Sequence, residues 1–121
     1  MTTKTHVFGI PNCDTVKKSR NWLDAQGIAY TFHDFKKNGI GPALIEGWLA
    51  QVDWEILVNR KGTTWRKLPE ERKASIVNAD SAANLMLEYP SVIKRPVLVT
   101  GDQIHVGFSD VLYQQIFSQT S

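Results

Sequence analysis

The chain has 121 residues, with 14 Lys plus Arg against 12 Asp plus Glu and a formal net charge of +2. That length suits a single domain over residues 1–121 that buries its own core without metal or disulfide staples, and 42% hydrophobic with 21% charged residues excludes a disordered chain. The single cysteine excludes an internal disulfide framework and a Cys-rich zinc site.

The elements follow in chain order. Thr5 to Ile10 carries Val7, Phe8 and Ile10, an apolar run fit for a buried strand. Pro11-Asn12-Cys13-Asp14-Thr15 reads as a turn, because Pro presets φ and Asn and Asp bond their local backbone. From Thr15 to Gln26 the period is helical, with Val16, Ser19, Trp22 and Leu23 on one face. Gly27 stands where a left-handed helix stop is wanted. Ile28 to Phe35 alternates, with Ile28, Tyr30 and Phe32 on one side, so a second strand follows. Strand, helix and strand with short connections imply a parallel βαβ unit.

The middle is helical. Pro42 opens a segment with Leu44, Ile45, Trp48, Leu49 and Val52 at helical spacing. Trp54 to Asn59 is short, apolar and ambiguous. Pro69-Glu70-Glu71 starts a helix that should include Ile76 and Val77. Asp80 is a candidate cap for the next helix, which carries Ala83, Leu85, Met86 and Leu87 and stops before Pro90. Val97-Leu98-Val99, Gly101-Asp102, then Ile104 and Val106 form a hairpin, and Ser109 caps a last helix with Val111, Leu112 and Ile116. The sum is an α/β domain with a four-stranded mixed sheet and a helical insert over about residues 39–90.

The chemistry concentrates at Cys13. It follows a strand and opens a helix, where orphan amides and the helix dipole favour a thiolate. Lys17 and Lys18 add positive charge one turn on, and Asp14 opposes them. Position 16 is Val, so no Cys-x-x-Cys exists and any disulfide must form with an outside thiol. A Cys-x5-Arg phosphatase loop needs Arg at position 19, where Ser19 stands with Arg20 one place late. Arg60 is either an anion ligand or a solvated loop charge. Arg95 precedes the strand-entry Pro96. Trp65 with Arg66 and Lys67 either holds an anion or covers a core edge. His6, His33 and His105 are scattered without metal-ligand spacing and read as structural or solvated. The dispersed charge gives no nucleic-acid stripe, and no apolar run nears the ~20 residues of a membrane span. The amino-terminal stretch lacks the apolar core of a signal peptide, so a reducing cytoplasm is expected.

Pro11-Asn12-Cys13, Lys17-Lys18-x-Arg20, Asn59-Arg60, Gly62-Thr63-Thr64, Lys67-Leu68 and Lys94-Arg95-Pro96 together resemble the ArsC family of glutaredoxin-like arsenate reductases. Asn-Cys-Asp-Thr with Gly-Thr-Thr-Trp-Arg-Lys-Leu and a late Gly-Phe-Ser is most similar to the YffB-like subgroup, related to the Spx regulators. The resemblance runs from about Val7 to Phe117 and implies a thioredoxin-like fold. It implies Cys13 as nucleophile, with Asn12, Arg60 and Arg95 as substrate- or anion-binding residues. Pro96, matching a cis-proline, and Lys17 would support them. The family's third arginine is missing from Val106-Gly107-Phe108-Ser109, and its Cys-Gly-Thr-Ser is replaced by Cys13-Asp14-Thr15-Val16. The resemblance therefore implies a glutathione-dependent thiol oxidoreductase with no bound cofactor, with glutathione as co-substrate and glutaredoxin as a further partner. The alternatives are a genuine arsenate reductase and a non-enzymatic, Spx-like regulator that binds RNA polymerase.

Overall fold

The computed structural model describes residues 4–118. Two compact units divide the chain: one runs up to Asp34 and resumes at Arg95, and the other spans Phe35–Lys94.

The first unit contains β1 (Thr5–Gly9), α1 (Asp14–Ala25), β2 (Thr31–Asp34), β3 (Val97–Thr100), β4 (Gln103–Val106) and α8 (Asp110–Ser118). The sheet order is β2-β1-β3-β4. β1 is parallel to β2 and antiparallel to β3, and β3 and β4 form the expected hairpin. This is the α/β, thioredoxin-like arrangement that the resemblance implies. Side chains alternate across a strand. Val7 and Leu98 therefore share a face, where they meet Leu23 of α1 and Tyr113 and Ile116 of α8. Each fully buried leucine there contributes about 1.5–3 kcal/mol. Thr5 and Thr100, a register pair further along the same face, bond hydroxyl to hydroxyl at 3.1 Å.

α1 ends as its sequence demands. Gly27 takes φ 69°, the Ile28 amide donates to the Leu23 carbonyl at 2.9 Å, and Ile28 packs on the core cluster. That is a left-handed stop of the Schellman type. β2 is shorter than the alternation suggests and begins at Thr31, although Ile28 and Tyr30 still pack inward. Ser109 caps α8 by accepting the Leu112 amide at 3.0 Å.

The second unit holds α2 (Phe35–Asn38), α3 (Pro42–Leu49), α4 (Trp54–Leu57), α5 (Thr63–Arg66), α6 (Glu70–Ser75), α7 (Ala79–Glu88) and a 3-10 turn, Pro90–Val92. Phe35 begins α2, where strand alternation had placed it in β2. The ambiguous segment is helical and then extended: Asp53 caps α4, and Val58 then bridges Ile93 in antiparallel fashion. α6 stops at Ser75, so Ile76 is a buried cap residue and Val77 is 68% exposed, neither being helical. Asn78, not Asp80, caps α7, through a reciprocal box with Ser81.

Candidate active site

β1 delivers the chain to Cys13 through a tight turn. The Cys13 amide donates to the Ile10 carbonyl at 3.2 Å, and the Lys17 amide donates to the Cys13 carbonyl at 2.9 Å. Cys13 keeps extended angles, φ −91° and ψ 126°, and is the N-cap of α1. Its thiol thus faces the orphan amides of the first turn. The helix starts close against the strand end: a Cβ at Gly9 would lie 2.7 Å from Val16 Cγ2. Only glycine permits that approach.

Arg95 arrives from the other half of the same unit, one residue before β3. Its guanidinium hydrogen-bonds the Cys13 thiol, and the Arg95–Pro96 peptide is cis. Burial pushes the half-buried thiol's pKa up. The Val16 amide, the Arg95 guanidinium and the Thr15 amide outweigh burial, and the thiol lies below its ordinary value. These amides act on the sulfur without a fully formed capping bond. A thiolate is favoured because fixed donors and a neighbouring cation stabilise the charged form.

The surroundings hold this pair in place. The Pro96 carbonyl accepts the Gly107 amide at 2.8 Å, and Gly107 has φ 86°, a conformation that favours glycine. Phe108 follows and sets its ring edge-on to Tyr113, with centroids 4.6 Å apart. Tyr113 in turn bonds Ser19 of α1 at 2.7 Å, with both side chains fully buried.

Of the sequence-derived candidates, the structure brings Arg95 and Cys13 together. Asn12 is exposed in the turn, one residue before Cys13. The Lys17 side chain is exposed, and its backbone supplies the first turn of α1. Arg60 belongs to the second unit, where it pairs with Glu55 at 3.3 Å and lies 5.9 Å from the Trp54 ring centre. Trp65 is half-buried in α5. The bond between Ser19 and Tyr113 was not foreseen. Its only signal is a serine on the apolar face of α1. A second unforeseen contact pairs His6 with His33, whose ring nitrogens lie 2.9 Å apart. Among the described residues, no helix is long and apolar enough to cross a membrane.

The ArsC family model matches residues 8–116. The chain belongs to the ArsC family. An uncharacterized protein of Haemophilus influenzae is 37% identical to this ArsC-family chain over 112 residues, covering 93% of this chain and 97% of that one. Among solved structures, the YFFB protein superposes with a TM-score of 0.88 at 44% identity, covering 93% of this chain and 97% of its own. The solution structure of an arsenate reductase (ArsC) related protein from Brucella melitensis gives a TM-score of 0.75 at 48% identity, covering 94% of each chain.

Proposed function

We propose that this ArsC-family protein is a glutathione-dependent thiol oxidoreductase with Cys13 as its nucleophile. The observation that carries the reading is the Arg95 guanidinium on the thiol of Cys13, the residue at the N-cap position of α1, whose pKa is lowered. A lowered pKa raises the thiolate fraction near neutral pH and makes the sulfur a better leaving group in the second step. In the first step the Cys13 thiolate attacks the glutathione sulfur of a mixed disulfide. That S–S bond breaks, and the substrate thiolate leaves and takes a proton from water. In the second step a glutathione thiolate attacks the same sulfur of the Cys13 adduct, releasing oxidised glutathione and the Cys13 thiolate. The substrate gains two electrons and glutathione supplies them. No second cysteine is available in the chain, so the resolving sulfur is external. Arg95, the cation beside the thiolate, and Asn12 are the substrate- or anion-binding residues of this unit, with Pro96 and Lys17 supporting them.

Incubation with oxidised glutathione tests this reading. Intact mass should show one glutathionyl group, peptide mapping should place it on Cys13, and Cys13→Ser should abolish it. An ordinary thiol pKa with no adduct overturns the reading.

Arsenate as substrate is a second reading, supported by the 48% identity to the arsenate reductase (ArsC) related protein of Brucella melitensis. Against it stands Val106-Gly107-Phe108-Ser109, which offers no third guanidinium and commits Phe108 to Tyr113. A glutathione- and glutaredoxin-coupled assay that exceeds the Cys13→Ser control would establish it. The regulator reading has one support, 20% identity over 106 residues to the global transcriptional regulator Spx of Lactococcus lactis. Retention of RNA polymerase subunits regardless of Cys13 would favour it.

A further inference from the structure

The sheet carries three histidines that the proposed thiol chemistry does not use, and two of them meet. His6 lies on β1 and His33 on β2. His33 is in register with Phe8, two residues beyond His6, so all three side chains share one face of the parallel pair. The His33 ring stacks on Phe8 with centroids 4.3 Å apart and planes 12° apart. His6 Nδ1 lies 2.9 Å from His33 Nε2, and the two ring centroids are 5.0 Å apart. Both rings are half-buried, so each keeps a solvent-facing side.

We infer that His6 and His33 form a two-imidazole site for a divalent first-row transition metal. Imidazole nitrogen suits zinc, nickel and copper and discriminates against magnesium and calcium. Metal–nitrogen bonds of ~2.0–2.1 Å put two cis ligand nitrogens about 2.9 Å apart at a right angle and about 3.3 Å apart in a tetrahedron. The observed nitrogens stand at the first of these separations. At that right-angle separation the ring centroids would be about 4.5 Å apart, on the same bond lengths, so from the observed 5.0 Å the two rings tilt toward the metal as it binds. On binding, the proton between the rings moves to the outer nitrogen of the ring that carried it, so that both facing nitrogens turn lone pairs toward the metal, with little movement of either strand. Phe8 holds one ring in place, which lowers the ordering cost. Among the described residues, no cluster of three or more His, Cys, Asp or Glu side chains surrounds the pair, so water completes the coordination. The site is of moderate affinity for that reason.

The test is titration of tag-free, full-length protein with nickel chloride and, separately, zinc chloride. It uses a Cys13→Ser background so that the thiol does not compete. Calorimetry should show one equivalent bound, with magnesium giving no heat. His6→Ala and His33→Ala should each weaken binding at least tenfold, and His105→Ala should leave it unchanged. A second readout uses the unmutated ring pair, so a misfolded variant cannot confuse the result. Substoichiometric nickel should broaden the imidazole proton resonances of His6 and His33 before those of His105. Absence of binding below millimolar nickel, or broadening that begins at His105, overturns the proposal and leaves an ordinary ring-to-ring hydrogen bond.

Discussion

Tyr113→Phe isolates the polar contact in the core behind the thiol-bearing helix. The Tyr113 and Ser19 side chains are 0% exposed, and their hydroxyls are 2.7 Å apart. Removing the phenol oxygen leaves the Ser19 hydroxyl without that partner among Val7, Leu23, Leu98 and Ile116. A buried hydroxyl that loses its partner costs about 1–3 kcal/mol. Back-bonding of Ser19 to the carbonyl four residues earlier pulls the value toward the lower end. Ser19→Ala should cost a similar amount. The double variant should lose less than the sum, by about 0.5–1.5 kcal/mol, because neither hydroxyl is then stranded. For a chain of this size each kcal/mol is about 3–6 °C in Tm. Alkaline pH supplies an independent readout. Burial pushes the Tyr113 phenol up to about 12 from 10.0, with the Ser19 hydrogen bond opposing part of that rise. A group whose pKa is raised by folding contributes stability that is complete below its unfolded pKa and is lost as pH climbs through its folded one. The window is therefore pH 10 to about 12. The loss totals about 2–3 kcal/mol, at 1.36 kcal/mol per pH unit. Urea melts of both proteins across that window should show the stability gap closing as pH rises, because phenylalanine cannot ionise. A constant gap would refute a buried phenol, and an additive double variant would refute its coupling to Ser19.

Two further changes probe the thiol and its helix. Arg95→Ala removes a hydrogen-bonding cation from the Cys13 thiol and should raise its pKa. The thiolate ultraviolet absorbance and the pH profile of glutathionylation should move together to higher pH, and an unchanged titration would remove Arg95 from the site. Gly9→Ala brings a Cβ to 2.7 Å from Val16, which is fully buried and cannot swing away. The expected cost is about 1–3 kcal/mol, seen as a lower urea midpoint at constant m-value, with partial rescue by Val16→Ala; wild-type stability would contradict the close packing of α1 on β1.

The order of elements was legible because the apolar period changes wherever the structure does. The first apolar run ended and helical spacing began within a residue or two of the observed boundaries of β1 and α1. The hairpin followed from Gly101-Asp102, and Gly101 takes φ 58°. The errors arose where local chemistry offered two answers. Asn78 and Asp80 are both cap residues, and the box partner is Ser81 instead of the usual Glu or Gln, so the common signature was absent. Ile76 fits a helical period, yet it is buried as a residue just past the end of α6. The site divides in the same way. Cys13 could be found from its neighbours in the chain, because a strand–turn–helix junction is a local property. Arg95 was marked by an adjacent proline and a family resemblance, but its contact with the sulfur spans the whole insert. Ser19 and Tyr113 are 94 residues apart and His6 and His33 are 27 apart. No periodicity carries such distances; only sheet register and helix packing bring them together.

The Cys13 environment is a balance, and the two sides fall off differently with geometry. Burial depends on the whole surround and changes slowly as the loop shifts. The contributions of Arg95, Val16 and Thr15 depend on direction and distance and fade within a fraction of an ångström of misplacement. A thiol that loses those donors and stays buried would move from a lowered pKa to a raised one. The lowered thiol pKa therefore requires that Arg95 and the start of α1 be fixed relative to each other, although they come from the two separate chain segments of the first unit. The contacts that do so close a circuit. Arg95 precedes Pro96, whose carbonyl holds Gly107. Phe108 and Ser109 then set the start of α8, and Tyr113 grips Ser19 of α1, which leads back to its own N-cap at Cys13. Every link is a backbone bond, a cap or a buried contact, and none relies on an exposed ion pair, which would contribute little and weaken with salt. The buried hydroxyl pair thus has a reason to be polar. A hydrogen bond of 2.7 Å fixes the rotation and height of α1 against α8, whereas two apolar side chains of the same volume would let the helix slide and carry the thiol away from its cation.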